Sequence, residues 1–221
     1  MPGTGLFGSP NDLYVNLGAG ADRFTIPSAT TVGAVATIEG AEGADTIRLT
    51  DLTVGEDLFV DGGLDVLSAT ITGLVANKAV TIIGDEANDT ISISNSGIAD
   101  VLSVEKKGGN DRVTVSMAMA FGASIATDMG IDTVQITDLM TSEDIGIFTG
   151  VGNDSVRLTN VISNKSLIVS VDEGADSVVA TAVSAAVDAI FEGGASVDSL
   201  TDFGITAGII LSVKEFEILL P

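Results

Sequence analysis

The sequence has no cysteine, no histidine, no tryptophan and only nine basic residues. Without cysteine and histidine there are no disulfides, thiolate nucleophiles, zinc centres of the usual kind or histidine acid–base pairs. Aromatic residues make up only 4%. The core must therefore be assembled from valine, isoleucine, leucine and alanine, which suits thin, regular β layers. Thirty-one acids outnumber the basic residues and leave a net charge of -22 over 221 residues. That balance argues against nucleic acid and anionic membrane as partners, since both need lysine and arginine patches. No apolar run reaches the length of a membrane span, so membrane insertion is not expected. The opening MPGTGLFGSPNDLYVNL lacks the basic-then-apolar order of a secretory signal peptide. What is present is 45% apolar, too much for a disordered acidic tail and enough for one core or one elongated repeat array.

A repeat is visible. Aspartates recur at Asp22, Asp45, Asp65, Asp89, Asp111, Asp132, Asp154, Asp176 and Asp198, at intervals of 23, 20, 24, 22, 21, 22, 22 and 22. Their contexts agree, as in GAGADRFTI, GGNDRVTVS and GVGNDSVRLT. The second and fourth residues after each are apolar, for example Ile47 and Leu49, Val113 and Val115, or Val156 and Leu158. The residues between them are mostly Thr, Ser, Arg or Gln, the alternation of a half-buried strand. A second short alternation follows later in each repeat: Leu58 and Val60, Leu102 and Val104, Ile145 and Ile147, Leu167 and Val169. Leu13 and Val15 read as the same strand of an earlier partial coil. Between the two lies a looser segment with Leu52, Val54, Ile98, Leu139 and Ile162, read as a third short strand or a corner.

A unit of about 22 residues cannot bury its apolar face alone, whereas stacked units can, each strand pairing in parallel with its copies above and below. The expected fold is an all-β, single-stranded parallel β-helix (a β-solenoid) of about nine coils, right-handed as parallel crossovers are. Residues 1–17 form a lead-in or partial coil, 18–200 the coils, and 201–221 a last partial coil or cap. In that last stretch Asp202 takes a normally apolar position and Phe203 a normally polar one.

Stacking puts the aspartates about one strand spacing apart, where unit charges repel by about 1 kcal/mol even in water. One reason for such a ladder is turn chemistry, each carboxylate accepting amides one or two residues on. The other is a cation held between coils, since calcium takes six to eight oxygens from carboxylates and carbonyls. Here GVGNDSVRL (150–158) and GAGADRFTI (18–26) resemble the RTX-type nonapeptide, Gly-Gly-x-Gly-x-Asp-x-apolar-x, of secreted bacterial calcium-binding β-rolls. The stacking of whole coils also resembles the β-helical repeats of large bacterial surface proteins and adhesins. The resemblance implies calcium as ligand, with Asp22, Asp45, Asp89, Asp111, Asp154 and Asp176 as candidate ligands and Gly18, Gly20, Gly150 and Gly152 as turn glycines. Lys106 and Lys107 stand where a glycine or acidic corner is expected.

Three functions follow from this pattern. The first is a non-catalytic structural or adhesive module, extracellular or on a bacterial cell surface. It would associate end to end into a filament or matrix, or bind a surface or matrix polysaccharide. The second is a calcium-dependent RTX-like secreted module. The third is a β-helix enzyme acting on polysaccharides. For the third, coils of 20 to 24 residues leave no loop long enough to frame a cleft, and a charge of -22 repels an anionic polymer. Acid pairs in SED (142–144) and VDE (171–173) read as solvated corners. An ice-binding face needs a flat threonine array. The column Thr50, Thr70, Thr137, Thr159 and Thr181 suits one, but the column Thr25, Arg48, Ser68, Ser92, Thr114, Gln135, Arg157, Val179 and Thr201 interrupts it.

Overall fold

A computed structural model describes the backbone of residues 5–7 and 11–219, with side chains over residues 11–217. Its 24 elements are all strands, and the described residues contain no helix. The chain winds as a parallel β-solenoid of about nine turns at ~22-residue spacing, its strands stacked in two sheets. The pairing is in register from coil to coil: Val134, Val156 and Val178 stand opposite one another, as do Ile145, Leu167 and Ala189.

One coil shows how sequence makes the shape. The strand Ser155–Ser163 lies in the first sheet and turns Val156 and Leu158 inward. At Asn160 the backbone becomes left-handed, with φ of 52°. That residue bends the strand and shifts the alternation by one, so Val161 is the next inward side chain. A short turn leads to Leu167–Ser170 in the second sheet, which buries Leu167 and Val169. A glycine-containing turn then returns the chain to the first sheet one coil further on. Each coil thus has three straight segments, and the looser stretch is both a corner and a third short strand. Leu52, Val54, Ile98 and Leu139 point inward from that third segment, as expected. Ile162 does not. Val161 takes the core position and Ile162 faces outward, because the left-handed Asn160 has moved the alternation.

The left-handed residue recurs at the same place in every full coil: Asp51, Gly73, Asn95, Met117, Asp138, Asn160, Ala182 and Gly204. Asp, Asn and Gly tolerate this conformation best, and six of these eight positions carry one of them. Glycine has a second role in the turns. A Cβ on Gly152 would collide with the carbonyl oxygen of Gly130, and one on Gly174 with that of Gly152. Successive turns stack so closely that only hydrogen fits.

At the start of the described chain, Gly5–Phe7 runs antiparallel along Leu13–Asn16 at the outer edge of the second sheet. At the other end, Phe216–Leu219 adds a parallel strand to Asp198–Thr201. Asp202 faces the position of Ala180, and its Oδ1 accepts the amides of Gly204 and Ile205 at 2.7 and 2.8 Å. Phe203 faces out.

Ala182 and Met117 hold the left-handed corner without the side chain or flexibility that eases it. Ala182→Gly is expected to stabilise the fold by about 1 kcal/mol, raising Tm by about 2–4 °C. The same change at Ala180, buried in a regular strand two residues earlier, is expected to lower Tm. Thermal melts of the two variants check the pair.

Candidate functional site

After each glycine turn the chain re-enters the first sheet at an inward-facing position. That position is held by Asp45, Leu67, Asp89, Asp111, Asp132, Asp154, Asp176 and Asp198, all buried, with Asp22 half-buried at the first coil. Asp65 is not a member. It is exposed in the turn, where its Oδ2 accepts the Gly43 amide at 2.8 Å, and Leu67 fills the ladder position opposite Asp45. The uneven intervals of 20 and 24 around Asp65 become 22 and 22 once Leu67 is read in its place.

The ladder's hydrogen bonds run between coils, not to amides one or two residues on. From Asp45 onward, Oδ1 of each ladder aspartate accepts the backbone N–H of the ladder residue one coil earlier. Asp154 Oδ1 takes the Asp132 amide at 2.8 Å, Asp176 Oδ1 the Asp154 amide at 2.7 Å, and Asp198 Oδ1 the Asp176 amide at 2.9 Å. The same bond joins Asp22 to Asp45, Leu67 to Asp89, Asp89 to Asp111 and Asp111 to Asp132. Oδ2 of every ladder aspartate is buried without a hydrogen-bond partner.

Burial of these carboxyls disfavours their charged form. It pushes Asp111 and Asp176 up from 3.8 to about 7 and Asp154 to about 6, against the backbone amide that each accepts. Neighbouring ladder carboxylates push all three further up. Asp45, Asp89 and Asp132 are raised as well, again chiefly by burial. The hydroxyls of Thr127 and Thr149 hold Asp132 and Asp154 down somewhat.

Facing the ladder across the interior is the column that closes each short strand: Gly40, Gly62, Gly84, Lys106, Thr127, Thr149, Val171 and Gly193, all buried. Lys106 is thus inside the solenoid, with Nζ 3.3 Å from Asp89 Oδ2. Lys107 points outward and pairs with Asp85 at 3.2 Å.

The six candidate calcium ligands, Asp22, Asp45, Asp89, Asp111, Asp154 and Asp176, therefore share one column but do not form cages. Each offers one free oxygen, aimed into the interior and away from the turns. The turn carbonyls of Gly18 and Asp128 already accept the amides of Glu42 and Val151 at 3.2 and 2.8 Å. Among the described residues no three acidic side chains converge as a metal site requires. This donor set does not fit calcium's six to eight oxygens; it fits a fastener. The acid pairs at 142–144 and 171–173 also serve the frame: Glu143 pairs with Lys165, Asp144 Oδ1 accepts the Ser166 amide at 2.9 Å, and Asp172 accepts the Ser170 hydroxyl at 2.8 Å.

A second feature emerges only when the register is known. The outward side chains of the first sheet's long segment form three columns along the rod. The column next to the left-handed corner reads Thr50, Thr72, Ser94, Ser116, Thr137, Thr159 and Thr181 before Phe203. The middle column runs from Thr25 and Arg48 through Thr70, Ser92, Thr114, Gln135 and Arg157 to Val179 and Thr201. The Asp65 correction moves Thr70 into this middle column and puts Thr72 beside the corner. From the coil of Arg23 to that of Phe203 the three columns contain no carboxylate, the first acid being Glu217 opposite Ser199, and together they carry all four arginines of the chain, Arg23, Arg48, Arg112 and Arg157, each exposed. Among the described residues no arginine makes an ion pair, whereas all five lysines do: Lys78 with Glu56, Lys106 with Asp89, Lys107 with Asp85, Lys165 with Glu143 and Lys214 with Glu192. The lysines tie coils together. The arginines point away from the body of the rod.

The raised ladder carboxyls bind protons more tightly in the folded chain than in the unfolded one. Their contribution to stability is full below about pH 4, fades as pH rises, and is gone above about pH 7. Tm at pH 5 is expected to exceed Tm at pH 8 by about 5 °C or more. Asp176→Asn, uncharged and still able to accept the amide, should narrow that difference; a higher Tm at pH 8 would contradict the assignment. In a second comparison, melts in millimolar calcium and in excess chelator are expected to agree within about 2 °C, while a fall of many degrees in chelator would restore the ladder or its turns as a ligand array.

The chain matches no family model, and no curated protein or solved structure is significantly similar to it. Its likeness to RTX repeats is one of motif.

Proposed function

We propose that this chain is a non-catalytic structural and adhesive rod of an extracellular or bacterial cell-surface assembly, and that it holds an acidic polysaccharide along its arginine-bearing face. The observation that carries the reading is the partition of charge. A molecule with 31 acids and nine bases keeps the outward face of the first sheet's long segment free of carboxylates through every coil that carries an arginine, and puts every arginine there. Guanidinium groups present a planar fork of donors that matches carboxylate or sulfate, and hydroxyls beside them suit sugar oxygens. The net charge repels an anionic polymer at long range, but salt screens that repulsion beyond about 8 Å, and contact is made with the local face.

A polymer lying along the rod axis would meet Arg48, then Arg112 three coils on, then Arg157 two coils beyond. At ~4.8 Å per coil that run spans about 24 Å. Coil lengths stay nearly constant, so the face is flat, a surface for holding a chain more than for cutting it. The filament variant draws on Ile209, Ile210 and Leu211, which the last coil leaves 74%, 51% and 49% exposed, a surface on which a further coil could stack.

Affinity electrophoresis in gels containing a polyuronate or a neutral glucan tests the reading. Retardation is expected in the polyuronate alone and should weaken with salt. Replacing all four arginines by glutamine should cut the affinity roughly tenfold or more, whereas Lys78→Gln should leave it unchanged. Equal behaviour in the two gels, or an unchanged arginine-free variant, would overturn it.

A further inference from the structure

Lys106 departs from the rule its fellow lysines follow. The ion-paired side chains of Lys78, Lys107, Lys165 and Lys214 are 52%, 66%, 51% and 60% exposed, while that of Lys106 is 0% exposed. Its stem fills space that exists because the residue one coil earlier in its column is Gly84. A Cβ there would collide with both Asp89 Oδ2 and Lys106 Nζ. The side chain of Asp89 is also 0% exposed. Although Nζ and Oδ2 lie 3.3 Å apart, neither has an aligned hydrogen-bond partner. A lone ion pair in such a place is costly, because the desolvation of two charges is poorly repaid without further hydrogen bonds.

We propose that Lys106 and Asp89 join in a self-formed amide, an intramolecular isopeptide bond that staples one coil of the solenoid. The parts needed for the step are present. Asp89 Oδ1 accepts the Leu67 N–H at 2.7 Å, which holds the carboxyl still, polarises Cγ and stabilises the negative charge that develops on Oδ1. Oδ2 faces the amine and is the leaving oxygen. Asp111 is next in the ladder; its Oδ1 accepts the Asp89 amide at 2.7 Å, and its Oδ2 is buried and unpartnered, free to carry a proton. Burial lowers the proton affinity of Lys106 and raises that of Asp89, which favours the neutral amine and neutral acid that react.

The bookkeeping closes without a co-reactant. The ammonium gives one proton to the Asp89 carboxylate, leaving an amine and a carboxylic acid. The Nζ lone pair adds to Cγ, forming the Nζ–Cγ bond, and the Cγ=Oδ1 π electrons move to Oδ1. Asp111 relays a proton from Nζ to Oδ2. The Cγ–Oδ2 bond breaks, Oδ2 leaves as water, and the Cγ=Oδ1 double bond re-forms. One carboxylic acid and one amine become one amide and one water, with no change of oxidation state. Holding the partners in contact is worth effective concentrations of about 10⁵–10⁸ M, and the apolar interior keeps water from reversing the reaction.

The test is the intact mass of the purified full chain, unfolded in denaturant. The expected mass is about 18 Da below that of the sequence, one water lost on acylation of the lysine amine. The deficit should map to a peptide containing both Asp89 and Lys106 and uncut by trypsin after Lys106. Lys106→Met, with folding checked by circular dichroism, should show the full mass. Asp61–Gly62 can also lose water, by cyclising to a succinimide, so the variant separates the two sources. A full sequence mass for the folded wild-type chain, or a deficit that persists in Lys106→Met, would overturn the proposal.

Discussion

Everything in this structure depends on keeping each strand opposite the same residues of the coil before it. In a sheet with one buried face, a slip of one residue sends every core side chain into water. The bond from a ladder amide to the Oδ1 of the next aspartate guards against that slip. It is made at the point where the chain leaves a turn and starts a strand, and it is made again in nearly every coil. The stacked glycines of the turns work to the same end, since a misplaced coil would bring a Cβ against a carbonyl. The inward carboxyl is expensive, and proton uptake lessens its cost. The same column that sets the register therefore makes the rod sensitive to pH.

Much of this was legible in the residues. The recurrence of aspartate after glycine, and the apolar second and fourth positions after it, led directly to stacked coils and to the core: Ile47, Leu49, Val113, Val115, Val156 and Leu158 are all buried. Two things misled. Asp65 resembles a ladder residue because it follows two glycines and an apolar residue, but it belongs to the turn, and Leu67 shows that the inward position accepts an apolar side chain. Ile162 resembles core when the alternation is carried through Asn160 without its one-residue shift. Asp, Asn or Gly six residues past the ladder position was the available signal, obscured by Met117 and Ala182, which carry no such mark.

The charged residues were the least legible. Arginine and lysine contribute equally to a net charge, and nothing in a linear reading separates them. Only when the columns are aligned does each outward lysine find its acid one coil back, as Lys78 finds Glu56 and Lys165 finds Glu143, while the arginines gather on a face of hydroxyls. In the sequence Lys106 stands where a glycine or acidic corner is expected. It is an interior side chain, and a local motif cannot show this because the space it fills is left by Gly84, a full coil away.

Leu67 has one more consequence. It interrupts the carboxyl column and leaves Asp22 and Asp45 on one side and six consecutive aspartates, Asp89 to Asp198, on the other. Within the longer run Asp111, Asp154 and Asp176 are raised in part by the ladder carboxylates beside them, so a proton gained or lost at one of these rungs shifts the balance next to it. The leucine insulates the short run from the long one. Lys106, the one basic side chain in the described interior, sits against Asp89, the terminal rung of the long run. The carboxyl column is therefore divided into two stretches of unequal length, and Lys106 marks the end of the longer one.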